Sequence, residues 1–254
     1  MGWVPNLFTL SNLTLGFLAA LLSGRAAGDG QLEYLPIAGI LIFFAMLCDG
    51  LDGFMARLLD AQSELGGQLD SLADLTTFGI APGALMYALV LNQFNYPVEG
   101  ALWLPTGALV AAIFPVCAAY RLARFNVSHD TEGFSGLPSP VAGFMIALMP
   151  IAFGDMLAGG ELNLIGIFLA VSFVLIAFLM VSTIRYPKLK RSLFRRFPRW
   201  RLTLLLSFLV GLLLFAALYR EGRYLPVSIF SLFALYIVVG LVSFSIHTIQ
   251  RFRL

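Results

Sequence analysis

Residues 49–74 read DGLDGFMARLLDAQSELGGQLDSLAD. Four carboxylates, Asp49, Asp52, Asp70 and Asp74, stand in two pairs at offsets of three and four. Those offsets bring the members of each pair onto one face of a helix. The flanks are apolar: PIAGILIFFAMLC (36–48) precedes the stretch and LTTFGIAPGALMYALVL (75–91) follows it. The acids therefore sit near the facing ends of two long apolar helices, joined by a short polar link at about 58–66.

The rest of the chain has the same character. Of 254 residues, 59% are hydrophobic and only 12% charged, where a soluble domain carries about 25% charge. With a mean hydropathy of +0.89, this composition excludes an ordinary soluble enzyme. Apolar runs of about 20 residues are what a membrane-spanning helix needs. They occur at about 7–24, 35–57, 67–92, 102–124, 138–157, 162–184, 202–219 and 225–246. The runs are too long and too continuously apolar for barrel strands, so the backbone must satisfy its hydrogen bonds as helices. The expected fold is an all-α polytopic bundle of about eight transmembrane helices. It forms one membrane domain over 1–254, with a core at 1–190 and an added helix pair at 202–246.

Basic residues set the expected orientation. With the N-terminus inside, Arg57, Arg121, Arg124, the run RYPKLKRSLFRRFPRWR (185–201), Arg251 and Arg253 all fall on the cytoplasmic side. Only Arg25, Arg220 and Arg223 of the 16 Lys and Arg remain outside. Both termini are therefore expected in the cytoplasm of a cell bounded by a cytoplasmic membrane, with the acids just below its inner face. The basic run suits anionic lipid headgroups better than nucleic acid. MGWVPNLF carries no basic segment ahead of its apolar run, so the first span is expected to be retained. Cys48 and Cys117 lie in apolar segments and read as small buried hydrophobes.

Four crowded carboxylates at the membrane edge are costly to insert and repel one another. Divalent cations relieve both problems, and an all-oxygen set favours Mg²⁺ or Mn²⁺. Two such ions sharing carboxylates suit displacement at phosphorus. Gly53 and Gly66, each one turn from an acid, leave space beside them. Arg57 offers a guanidinium fork to phosphate, and Ser63 a further hydrogen bond. Asn6, Thr9, Ser11, Asn12 and Thr14 in the first span supply helix-to-helix hydrogen bonds and one wall of a polar cavity. Gly79, Pro82 and Gly83 are expected to loosen or kink the third helix. Residues 131–143 (TEGFSGLPSPVAG) should form a shaped turn, and His129 and His247 read as solvated or interfacial.

The pattern D-x2-D-G-x2-A-R-x8-G-x3-D-x3-D resembles, at every fixed position, the signature of the CDP-alcohol phosphatidyltransferases. PNLFTLSNLTLGF (5–17), RLARFNV (121–127), GLPSP (136–140) and VSTIRYPKLK (181–190) extend the likeness to the phosphatidylserine synthase branch. The resemblance implies two ions of Mg²⁺ or Mn²⁺, one on Asp49, Asp52 and Asp70 and the other on Asp49, Asp70 and Asp74, with Asp74 as general base. It further implies that Gly53, Ala56, Arg57, Ser63 and Gly66 bind CDP-diacylglycerol, and that the chain is a homodimer among membrane lipids. The implied reaction transfers a phosphatidyl group to L-serine and releases CMP. Arg121, Arg124 and Asn126 are the candidates for holding serine. Two alternatives remain open here: another acceptor alcohol (glycerol 3-phosphate, inositol phosphate or choline), and a cation transporter using the same acids.

Overall fold

A computed structural model describes residues 3–94, 105–127, 136–157, 164–184, 225–235 and 237. Every described element is helical. Six helices are long and apolar enough to cross a membrane: α1 (Trp3–Asp29), α2 (Tyr34–Leu58), α3 (Glu64–Leu89), α4 (Thr106–Val127), α5 (Ser139–Leu157) and α6 (Leu164–Val181). They correspond to the first six expected spans, with edges moved by a few residues. The expected span at 202–219, the basic run at 185–201, His129 and His247 lie outside the described residues. Of the expected span at 225–246, a helix α7 (Leu225–Leu235) is described.

α1 and α2 form an antiparallel hairpin along most of their length. The turn between them begins at Gly30, whose φ of +68° is the left-handed conformation that ends a helix and that glycine adopts without penalty. α1 turns a narrow stripe inward: Pro5, Thr9, Asn12, Gly16, Ala19, Ser23 and Ala26. The repeat of three and four is the helical period. The small side chains let backbones approach closely, which is how helices associate where lipid offers no hydrophobic drive. Large apolar residues such as Phe17, Leu21, Phe44 and Leu47 face outward, as lipid contact requires.

α3 passes through the middle of the bundle and is its most enclosed span. It begins as an α-helix at Glu64–Leu75, widens into one π-helical turn at Thr76–Ile80, and resumes at Ala81–Leu89. The Ala81 N–H reaches the Thr76 carbonyl, five residues back. The expected loosening by Gly79, Pro82 and Gly83 thus takes the form of a widened turn. Pro82 has no N–H to give, and its ring would crowd the carbonyl four residues earlier. One extra residue per turn relieves that contact. Two close approaches hold the widened turn. A Cβ on Gly16 of α1 would lie 2.2 Å from Thr77 Oγ1, and one on Gly143 of α5 would lie 2.9 Å from Phe78 Cα.

The core lies between α2, α3, α4 and α5, around Ile42, Phe78, Leu85, Met86, Phe114 and Ile146. Phe114 of α4 stacks on Phe173 of α6 at 5.0 Å. α7 packs on α5 through Phe153–Phe230 and Phe144–Phe233, with ring centroids at 5.5 Å and 5.4 Å. Cys48 and Cys117 are free thiols; Cys117 is buried and Cys48 half-buried.

Candidate active site

The link between α2 and α3 decides how the acids meet. Asp60 takes a left-handed φ of 47°, a conformation that Asp tolerates better than most residues. Ser63 then caps α3, its Oγ accepting from the Gly66 N–H at 3.0 Å. The Ser63 oxygen accepts in this cap, which leaves its hydroxyl proton able to donate toward a ligand. A Cβ on Gly66 would lie 3.1 Å from that same oxygen, so Gly66 keeps the cap clear. Ser63→Ala is expected to cost about 1 kcal/mol, the usual worth of such a cap, read as a lower melting temperature.

With the link folded this way, the carboxylates of Asp49, Asp70 and Asp74 bring one oxygen each to within 4.8 Å of one another. Asp49 and Asp70 are half-buried and Asp74 is buried. Asp70 Oδ1 and Asp74 Oδ1 have no hydrogen-bond partner. Asp52, also buried, is one turn further along α2, where its Oδ2 accepts from Thr9 Oγ1 at 2.7 Å. Buried carboxylate oxygens without donors are rare because each carries a desolvation penalty. Three converging acids, two of them with an unmet oxygen, make a donor set that suits a hard divalent cation.

Beside the acids is an open cavity of about 270 Å³. α1 contributes Pro5, Asn6 and Thr9; α2 contributes Asp52, Gly53 and Ala56; the link and α3 contribute Ala61, Gln62, Ser63, Gly66, Gly67 and Asp70. Four of the five residues expected to contact the nucleotide lipid, Gly53, Ala56, Ser63 and Gly66, therefore line one space. Arg57 is exposed beside it, its guanidinium 3.9 Å from where a Gly53 Cβ would stand. Gln62 and Gly67 were not anticipated. They belong to no acid pair, and only the folded link brings them to the wall.

The three serine-binding candidates have different surroundings. Arg121 is buried, donates to Ser139 Oγ at 2.6 Å, and is an electrostatic neighbour of Asp74. Arg124 turns to the end of α6, donating to the carbonyls of Val181 at 3.0 Å and Ser182 at 3.3 Å. Asn126 Nδ2 donates to Ser71 Oγ at 2.9 Å, next to Asp70 in sequence. Of the turn expected at 131–143, the described part runs from Gly136 to Pro138, because α5 begins at Ser139. Gly136 N–H donates to the Ile184 carbonyl and Leu137 N–H to that of Leu179, so this segment and Arg124 together close the end of α6.

In sequence the chain is similar to several curated phosphatidyltransferases. CDP-diacylglycerol–serine O-phosphatidyltransferase of Helicobacter pylori is 32% identical over 245 residues, covering 94% of this chain and 89% of that protein. The enzyme of the same name from Bacillus subtilis is 31% identical over 194 residues, 75% of this chain and 93% of its own length. That of Methanocaldococcus jannaschii is 32% identical over 192 residues, 75% and 77% of the two chains. The profile described as CDP-alcohol phosphatidyltransferase matches residues 2–184, a span that holds α1 to α6 and with them the acids, the cavity and Arg121. On that match the chain belongs to the CDP-alcohol phosphatidyltransferase family.

Proposed function

We propose that this protein transfers the phosphatidyl group of CDP-diacylglycerol to the hydroxyl of L-serine, giving phosphatidylserine and CMP. The observation that carries the reading is the convergence of Asp49, Asp70 and Asp74 within 4.8 Å beside a cavity walled by Gly53, Ala56, Ser63 and Gly66. The relatives' names supply the acceptor.

The cavity takes the cytidine diphosphate portion, with Arg57 at its edge for phosphate. The diacylglycerol portion leaves sideways between exposed apolar side chains into lipid. Asp49, Asp52, Asp70 and Asp74 would hold two Mg²⁺ or Mn²⁺ ions, which when bound would neutralise charge on the pyrophosphate and the departing nucleotide. Asp74 takes the serine hydroxyl proton. The serine oxygen then bonds to the phosphorus that bears diacylglycerol, and the bond from that phosphorus to the bridging pyrophosphate oxygen breaks, releasing CMP. Arg121 is the partner for the serine carboxylate, placed by its bond to Ser139. Arg124 and Asn126 support it by fixing α4 against α6 and α3. The site faces the cytoplasm on the strength of the Lys and Arg bias. The homodimer and the headgroup role of residues 185–201 belong to the same proposal.

The test is CMP release by purified protein given CDP-diacylglycerol, Mg²⁺ or Mn²⁺ and labelled serine. Release is expected to require both serine and cation and to stop on chelation. Release that responds only to a different alcohol would remove serine, and no release at all would favour cation transport. Arg121→Ala is expected to raise the KM for serine well above any change for the lipid. An unchanged serine KM would take Arg121 out of the acceptor site.

A further inference from the structure

Two buried polar residues of α1 have no role toward the acids in the scheme above, yet one of them, Thr9, is bonded to an acid and the other, Asn12, is bonded through its backbone to the helix that carries Asp74. Thr9 and Asn12 are three residues apart on the buried stripe of α1, 3% and 0% exposed. The Thr9 hydroxyl donates to Asp52 Oδ2 at 2.7 Å, with the Pro5 carbonyl also 3.2 Å away. One turn deeper, the Asn12 carbonyl accepts from Thr77 Oγ1 at 3.0 Å, and Thr77 is three residues past Asp74. Asn12 thus stands in the layer of α3 that begins at Asp74.

Its side chain has no bond at all: neither Nδ2 nor Oδ1 has a partner. Among the described residues, the buried side-chain nitrogens and oxygens so left belong to Asn12, Asp70 and Asp74. An amide offers two donors and an acceptor, and buried groups of this kind are almost always paired. The unmet amide of Asn12 and the unmet oxygens of Asp70 and Asp74 would both be accounted for if the acids held a cation whose bound oxygens reached the amide. Residues that hydrogen-bond to metal ligands set the ligands' orientation, and their loss typically weakens binding 10–100-fold.

We propose that Thr9 and Asn12 are the positioning residues of the acid centre. Thr9 holds one oxygen of Asp52 and leaves the other for the cation, and Asn12 gives its amide to the deeper acids once they are loaded. This rests on reading the acids as a divalent-cation site, and the experiment separates the two claims. Mn²⁺ alone is titrated into the full-length protein in detergent, free Mn²⁺ is followed by electron paramagnetic resonance, and melting is measured without cation. Thr9→Val keeps the side-chain shape and removes the hydroxyl; Asn12→Leu removes the amide at similar size. Each is expected to raise the Mn²⁺ Kd by about 10–100-fold, and Thr9→Ser to restore it. Asn12→Leu should melt no lower than wild type, since an unpaired polar group is replaced by an apolar one. That combination is one a merely structural residue would not give.

A variant that binds Mn²⁺ as tightly as wild type removes its residue from the assignment. Were Asn12→Leu to raise the serine KM with Mn²⁺ affinity unchanged, Asn12 would be an acceptor contact and not a support. Wild type that binds no Mn²⁺, or Asp49→Asn that binds it equally well, would overturn the cation reading itself.

Discussion

Asp74→Asn is expected to leave a folded bundle whose turnover is lower by about 10²–10⁴-fold, the usual contribution of a positioned general base. At about 1.4 kcal/mol per tenfold, this is a loss of roughly 3–5 kcal/mol of transition-state stabilisation. The amide has nearly the shape of the carboxylate but cannot take the serine proton. Nucleotide binding should survive, because the cavity walls come from Gly53, Ala56, Ser63 and Gly66 and not from Asp74. Stability should move the other way. Asp74 is buried with an unpartnered oxygen, close to Asp49 and Asp70, so a side chain that cannot ionise there favours the cation-free fold. Wild type should therefore gain more from added Mn²⁺ than the variant does; a ligand at 100 times its Kd stabilises by about 2.7 kcal/mol. Melting curves with and without Mn²⁺, beside CMP release, check both halves. Near-normal turnover in Asp74→Asn would place the base elsewhere.

The parts of this site that were legible in the sequence are those with local periodicity. Offsets of three and four put Asp49 with Asp52 and Asp70 with Asp74, and apolar run lengths located six helices to within a few residues. What was hidden depends on which helix lies opposite. An offset of three lets Arg121 and Arg124 sit on one side of a helix. Yet that offset leaves them about 60° apart around α4, enough for Arg121 to meet Ser139 of α5 while Arg124 meets the end of α6. The bond from Thr9 to Asp52 spans 43 residues, and no local pattern announces it. Ser63 also carries a local signal, as the N-cap of α3. A serine just before an amphipathic helical segment is a cap before it is a ligand contact. The π turn was half legible: Gly79, Pro82 and Gly83 marked a weakened helix, but its shape is fixed by the backbones of α1 and α5.

That dependence gives the second large effect, remote from any charged group. Gly143→Ala is expected to lower turnover by about 100-fold, the order of loss that an ångström-scale displacement of catalytic groups brings. The added Cβ would lie 2.9 Å from Phe78 Cα, 3.0 Å from its Cβ and 3.1 Å from Cδ1. The first of these is backbone and cannot swing aside. α5 and the π turn must part, and Asp74 is one turn before Phe78 on the same helix. Overpacking of this kind also costs about 1–3 kcal/mol of stability, so melting should fall along with activity, and Gly143→Val should do worse on both. Gly154→Ala is the matched control on the same helix, because nothing lies within 4 Å of its added Cβ. There the gain in helix propensity is at most about 1 kcal/mol, and activity should hold. Mn²⁺ affinity distinguishes displacement from simple loss of folded protein: in the folded fraction of Gly143→Ala the acids no longer converge, and binding should weaken in step with turnover. If Gly143→Ala behaves like Gly154→Ala, the widened turn is not held by α5, and the placement of Asp74 must come from the other helices packed on it, α1, α2 and α4.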